Sequence, residues 1–187
     1  MNSNPLNIFV LFVAITAAQV LICNHILLFG VAVPLLSVYF IIRMPMSMKV
    51  SLLLTLSFLL GLAIDIWSDT PGLNALACTL VAGIKRPALY AYVQRDDRVK
   101  ETIPNIATLG LGTYCKYMLT MVGIYAFLVF SIEYFSFADV KEIVILTLCS
   151  SLLTFLLLLG LDSLITVRRT DHGGAPEGGK PPILYIP

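Results

Sequence analysis

Charged residues are scarce in this chain, and their scarcity argues against most soluble architectures. Asp, Glu, Lys and Arg make up 12% of the 187 residues, hydrophobic residues make up 58%, and mean hydropathy is +0.92. A typical soluble domain is nearer half apolar and one quarter charged. The composition therefore predicts an integral membrane protein, and the net charge of +1 gives no indication of nucleic-acid binding.

Metal ligands and catalytic groups are sparse as well. The two histidines, His25 and His172, are isolated, and no CxxC pair occurs. Zinc sites need clustered Cys and His ligands, so we expect no metal, no cofactor and buried free thiols at the four cysteines. These are Cys23, Cys78, Cys115 and Cys149. Neither a Ser/His/Asp nor a Cys/His arrangement nor a phosphate-binding loop is visible, which predicts a protein that is not an enzyme.

Six apolar segments can be drawn, each near the ~20 residues that a spanning helix needs. We expect an all-α integral membrane protein: a six-transmembrane-helix bundle over 1–169, followed by a disordered cytoplasmic tail, 170–187, rich in Gly and Pro. The first segment lacks the basic start and cleavage site of a signal peptide. The second contains Gly30 and Pro34, which indicate a kinked or shallow helix. The segments are about 6–23, 26–42, 49–67, 71–92, 106–132 and 142–166.

Basic residues indicate the orientation. Two lie between the second and third segments, five near or after the end of the fourth and three after the sixth, which is ten of the twelve Lys and Arg. Lys141 alone lies in an alternate loop, and Lys116 lies within the fifth segment. Because basic residues mark the cytoplasmic side, both termini are predicted to be cytoplasmic.

The most informative stretch joins the third and fourth segments and carries Asp65 and Asp69. Asp65 is expected at the outer edge of the hydrocarbon, where a charge is costly and therefore marks a functional-site candidate. It could have a specific structural role in the corner between the two helices, be a plain interfacial charge, or serve transport chemistry. Asp69 is expected to be a turn residue. Trp67 is placed as an interfacial anchor.

The start of the fourth helix has its own signals. Thr70 followed by Pro71 predicts an N-cap and a proline at the first helical position. Asn74, just inside the outer face, could bond to a neighbouring helix. Small residues recur at Ala75, Thr79 and Gly83, a stripe that favours close packing within the bundle or, as the alternative, contact with a partner helix.

Three further charges lie toward the predicted cytoplasmic ends of their segments. Lys85 and Arg86 are expected to extend their long stems toward the cytoplasm. Lys116 is expected to do the same, or else to pair with Asp162. The polar run from 94 to 104 predicts a solvated loop, with contact to anionic lipids or a cytoplasmic partner as the alternative.

The stretch around Asp65 resembles the rod shape-determining protein MreD family. That family shows Gly-Leu before an aspartate, a short turn, then Gly-Leu-(Asn/His)-Ala-Leu and a helix that ends in basic residues. Here these are Gly61-Leu62-Ala63-Ile64-Asp65, then Pro71-Gly72-Leu73-Asn74-Ala75-Leu76, and Lys85-Arg86-Pro87. Asp69 departs from the family, in which a glycine is common in the turn, and so does the apolar end of the tail.

The resemblance implies a non-enzymatic scaffold subunit of the bacterial cell-wall elongation complex. It implies binding to MreC in the inner membrane, and indirect links to MreB, a penicillin-binding transpeptidase and a SEDS-type glycosyltransferase. Together with the interfacial Trp67 and the small-residue stripe, the motif gives the candidate structural and partner-binding residues Gly61, Asp65, Trp67, Pro71, Gly72, Asn74, Ala75, Thr79 and Gly83. The resemblance also implies a bundle similar to the substrate-binding subunits of energy-coupling-factor transporters, which keeps a small-molecule or lipid-binding transporter subunit as the alternative.

Overall fold

A computed structural model describes residues 5–21, 34–70, 72–93, 104, 106–133 and 140–172. These residues form helices and contain no strand. The helices are α1 (Pro5–Leu21), α2 (Ser37–Arg43), α3 (Val50–Ser68), α4 (Leu73–Tyr90), α5 (Ile106–Leu109), α6 (Leu111–Glu133) and α7 (Val140–His172). Residues 94–103, the tail from 173 onward and Pro71 lie outside the described part of the chain.

Three of the described helices are long and apolar enough to cross a membrane. They are α3 with 19 residues, α6 with 23 residues, and the 20-residue part Ile143–Asp162 of α7. At 1.5 Å per residue these lengths are about 28 to 35 Å, which matches a hydrocarbon core of roughly 30 Å. A membrane protein is therefore supported, whereas the six-span bundle stays a prediction.

The second predicted segment differs most from its expectation. Its described part is helical only over α2, and this helix of seven buried residues is too short to cross a bilayer. The three residues before it, Pro34, Leu35 and Leu36, are not helical. Gln19 and Thr154 bind the freed backbone groups. Leu36 N–H donates to Gln19 Oε1 (2.7 Å), Leu35 N–H donates to Thr154 Oγ1 (3.0 Å), and Gln19 Nε2 donates to the Pro34 carbonyl (3.2 Å). Irregular backbone is stable inside an apolar bundle when, as here, its polar groups are satisfied internally.

The other helices agree with their segments to within a few residues at most ends. The fifth segment is divided at Gly110, whose φ of 75° separates α5 from α6. The last helix continues to His172, three residues past the predicted domain boundary. Both differences reflect local backbone choices that hydropathy does not record.

The core lies between α2, α3, α4 and α6. The most extensive contact joins α3 to α4, and α6 packs on α4 and α7. The buried face of α6 repeats at helical spacing and contains Tyr114, Tyr117 and Tyr125. Three tyrosines therefore place hydroxyl groups inside the bundle.

The cysteines of the described residues are free thiols, but they are not uniformly buried. Cys78 is buried, Cys115 is partly buried and Cys149 is exposed. The expectation of burial is therefore wrong for Cys149. Its neighbours Ile145, Leu148 and Leu152 are exposed too. An apolar outer face is what a helix beside lipid requires.

Candidate functional site

The turn between α3 and α4 is tight and rests on two left-handed residues. Asp69, with φ of 56°, ends α3 and donates its N–H to the Asp65 carbonyl, and Gly72, with φ of 79°, precedes α4. Asp and Gly are among the residues that tolerate this conformation best. We call the residues from Gly61 to Thr79 the α3–α4 corner.

The Asp65 carboxylate is the hub of this corner. Its Oδ1 accepts hydrogen bonds from the Thr70 hydroxyl (2.7 Å), the Asn74 backbone N–H (2.9 Å) and the Asn74 side-chain amide (3.0 Å). Its Oδ2 accepts from the Ala75 backbone N–H (2.8 Å). Asp65 is buried, and two of its donors are orphan N–H groups from the first turn of α4. A carboxylate of α3 therefore caps α4 and complements its dipole.

The predicted cap of α4 is wrong in detail. The helix begins at Leu73 with Gly72 as N-cap, which supplies no side-chain cap. Thr70 donates its hydroxyl proton to Asp65 and accepts a long hydrogen bond from the Asn74 side-chain amide (3.5 Å), not from a backbone N–H of α4. Because glycine has no side chain, the acceptor comes from the preceding helix. Pro71, the other half of that prediction, lies outside the described residues.

The small residues of the corner bring α3 and α4 together. A Cβ on Gly61 would overlap the Asn74 carbonyl and the backbone of Ala75, which is itself buried. Thr79 donates its hydroxyl to the Ala75 carbonyl (2.7 Å), whereas Gly83, at the far end of the stripe, is exposed. The beginning of the stripe is therefore a contact within the bundle.

Trp67 lies on the outside of the corner. Its side chain is 74% exposed and lines one side of an apolar groove of about 370 Å³. The rest of the groove is one face of α1, formed by Phe12, Val13, Thr16, Ala17, Val20 and Leu21. This position is compatible with an interfacial anchor, and the anchoring role stays a prediction.

A chain of hydrogen bonds continues from the corner into the bundle. The Tyr125 hydroxyl donates to Asn74 Oδ1 (3.1 Å), and Ser37 Oγ donates to that hydroxyl (2.7 Å). Cys78 Sγ lies 3.7 Å from the hydroxyl oxygen of Tyr125. Asp65, on α3, is thus linked through α4 and α6 to the start of α2. The sequence interpretation missed Tyr125 and Ser37, although the helical spacing of the tyrosines places Tyr125 on the buried face of α6.

A second polar cluster lies at the other end of α2. Arg43 Nη2 is 2.6 Å from Asp162 Oδ1, and Arg43 Nε donates to the Tyr39 hydroxyl (2.7 Å). Tyr39 donates to Asp162 Oδ1 (3.1 Å), and Tyr114 is close enough to interact with the same carboxylate. The alternative in which Lys116 pairs with Asp162 is therefore wrong. Lys116 is on the exposed face of α6, whereas α2 brings Arg43 into the core.

Lys85 and Arg86 bind the turn between α2 and α3, and we call this end of the bundle the basic end. Lys85 Nζ donates to the Met44 carbonyl, and Arg86 Nη2 donates to the carbonyls of Met46 (3.1 Å) and Met48 (2.7 Å). Lys85 is 0% exposed, so the expectation that its stem extends to the surface is wrong. The ammonium ends beneath the turn, which offers it a carbonyl.

In the α3–α4 corner, the oxygens of Asp65 already accept four hydrogen bonds, which suits a carboxylate that stabilises a turn. The described residues contain no group of three or more His, Cys, Asp or Glu side chains that could hold a metal ion.

No model of a known protein family, no curated protein and no solved structure matches the chain.

Proposed function

We propose that this chain is an MreD-like scaffold subunit of the bacterial cell-wall elongation complex. It acts without substrate turnover in the inner membrane, with six spans and both termini in the cytoplasm, and it binds MreC. Through MreC it is linked to MreB, a penicillin-binding transpeptidase and a SEDS-type glycosyltransferase. The observation that carries the proposal is the α3–α4 corner, because Gly61, Asp65, Asn74 and Ala75, which belong to the motif that gives the resemblance, contact one another there.

The spacing of the motif has a physical reason in this corner. Gly61 lies one helical turn before Asp65 and lets the backbone of α4 approach α3. Gly72 takes the left-handed conformation that starts α4. Asn74 and Ala75 then present their N–H groups to the carboxylate. A motif that builds one rigid turn is what a scaffold needs, since a partner helix binds best to a preorganised surface.

Co-purification tests the proposal directly. The full chain is co-expressed with tagged MreC from the same bacterium and extracted in mild detergent, with an unrelated bitopic protein carrying the same tag as control. We expect the chain to remain with MreC through size exclusion and not with the control. Equal recovery with both baits, or with neither, contradicts the proposal.

The proposed topology has a separate test. In a variant without native cysteines, single cysteines at positions 70 and 97 are labelled with a membrane-impermeant maleimide in intact cells and in lysed cells. Position 70 should react in intact cells and position 97 only after lysis. Labelling of both positions in intact cells contradicts an orientation with both termini inside.

A ligand-binding transporter subunit is the second candidate, and the cluster around Arg43 favours it. Buried polar and aromatic groups converge there from three helices: Tyr39 and Arg43 on α2, Tyr114 on α6 and Asp162 on α7. Ligand sites combine apolar walls with a few placed polar groups of this kind. A small molecule that stays bound in stoichiometric amount through purification without MreC, detected by native mass spectrometry, would favour this candidate.

A further inference from the structure

The buried ammonium of Lys85 has more hydrogen-bonding capacity than its surroundings use. It carries three N–H donors, and its one hydrogen-bond acceptor among the described residues is the neutral Met44 carbonyl. No described carboxylate pairs with it, since the ion pair that the described residues form joins Arg43 to Asp162. A buried charge without a counter-charge is costly, so the position calls for an anion.

A second cation strengthens that requirement. Arg86 follows Lys85 in the chain and binds the same turn between α2 and α3, so a second positive charge lies at the basic end. Its recorded partners are the carbonyls of Met46 and Met48, which use two of the five guanidinium N–H donors at most. Among the described residues, these two cations therefore bind neutral carbonyl oxygens and no carboxylate.

Arg43 shows how this bundle treats a cation that does have a counter-charge. Its guanidinium is also buried, but it meets Asp162 at 2.6 Å and the Tyr39 hydroxyl at 2.7 Å. Lys85 is more deeply buried and lacks any such partner among the described residues. The two buried cations therefore differ in whether a carboxylate of the described residues balances their charge.

We propose that Lys85 and Arg86 form a binding site for a phosphate group at the basic end of the bundle. A phosphate offers several oxygens and at least one negative charge, which matches an ammonium with two spare donors beside a guanidinium. Arg86 is partly exposed and gives access from the surface, whereas Lys85 lies beneath the turn. The site goes beyond the scaffold proposal, because binding to MreC does not require it.

The phosphate could belong to a lipid headgroup or to a soluble molecule, and the experiment separates the two. The full-length protein is compared with Lys85→Met and with the control Lys116→Met, which removes an exposed lysine. One arm measures lipid retention by native mass spectrometry after incubation with vesicles of phosphatidylglycerol or phosphatidylcholine. The other measures the melting temperature with inorganic phosphate against sodium chloride at equal ionic strength.

For a lipid headgroup, we expect the wild type to retain phosphatidylglycerol in preference to phosphatidylcholine. Lys85→Met should retain about tenfold less phosphatidylglycerol than the wild type. For a soluble phosphate, inorganic phosphate should raise the melting temperature of the wild type and not that of Lys85→Met. Lys116→Met should behave as wild type in both arms. Size exclusion confirms that Lys85→Met is folded, which a methionine should permit because it fills the same space without a charge.

Three outcomes overturn the proposal. The first is a wild type that binds neither probe, and the second is binding that Lys85→Met leaves unchanged. The third concerns the acidic residues 96 and 97, which follow α4 in the sequence. If Asp96→Asn/Asp97→Asn lowers the melting temperature of the protein and neither probe binds, Lys85 is paired by the chain itself.

Discussion

Asp65 and Asp162, the carboxylates that are buried in the described part of the chain, differ in where their partners come from. Asp65 is surrounded by neutral donors within ten residues along the chain, from Thr70 to Ala75. Asp162 binds Tyr39 and Arg43, more than a hundred residues away. The first arrangement follows from one helix turn and its close packing. The second exists only because α2 and α7 meet, so it reports on the whole bundle.

The largest effect is expected from Arg43→Met, which removes the cation and leaves Asp162 buried. Breaking a buried pair in this way costs about 3–5 kcal/mol of unfolding free energy. Equilibrium unfolding in mixed micelles measures it. The double variant Arg43→Met/Asp162→Leu should recover most of the loss, since no charge then remains unpaired. A double variant as unstable as the single one would show that the ion pair is not the reason.

Gly61→Ala should have the next largest effect, because its Cβ would overlap the backbone of α4. Overpacking typically costs about 1–3 kcal/mol, and the upper part of that range is expected where backbone must move. The matched control is Gly123→Ala on α6, where an added Cβ meets nothing within 4 Å. This control should gain up to about 1 kcal/mol from helix propensity. Equal effects of both changes would contradict the close contact of α3 with α4.

Asp65→Asn tests whether the corner needs a full acceptor. One amide oxygen cannot replace two carboxylate oxygens that accept four hydrogen bonds, so we expect a loss of about 2 kcal/mol and weaker recovery with MreC. Asp69→Asn is the control, because asparagine tolerates the left-handed conformation of that residue. Thermal unfolding in detergent compares the two variants. If both behave as wild type, the Asp65 charge is not what holds the corner.

Tyr125→Phe should give the smallest change. It removes the hydroxyl that links Asn74 to Ser37 but leaves the ring and the four bonds to Asp65 in place. A loss of about 1 kcal/mol is expected. A double-mutant cycle with Asp65→Asn then measures coupling along the chain of hydrogen bonds. Strict additivity would indicate that the corner and the bundle interior are independent.

Hydropathy predicted most helices because membrane burial acts on every residue of a span. Segment 49–67 became Val50–Ser68, and segment 71–92 became Leu73–Tyr90. The second segment failed at Pro34, since the polar groups freed there are bound by Gln19 and Thr154 from distant helices. No periodicity in 26–42 contains that information.

The candidate site divides in the same way. Asp65, Asn74 and the corner glycines could be found from the motif, since their contacts are local in the chain. The backbone N–H groups of α4 that bind Asp65 could not be predicted, because they depend on the residue at which α4 begins, and that residue follows the Gly72 turn. Arg43, Tyr39 and Lys85 were assigned to no such cluster, since their roles appear only when α2 is buried among α4, α6 and α7.

The sequence by itself determined three properties of this protein. They are its membrane character, the positions of most of its helices along the chain, and the polar turn that joins two of those helices. Those properties depend on composition and on contacts over about ten residues. The tertiary structure alone decided which charges are paired, that Lys85 is buried beneath the α2–α3 turn, and that Tyr125 connects the corner to α2. The physical reason is that a buried charge or hydroxyl is defined by its partner, and these partners come from other helices.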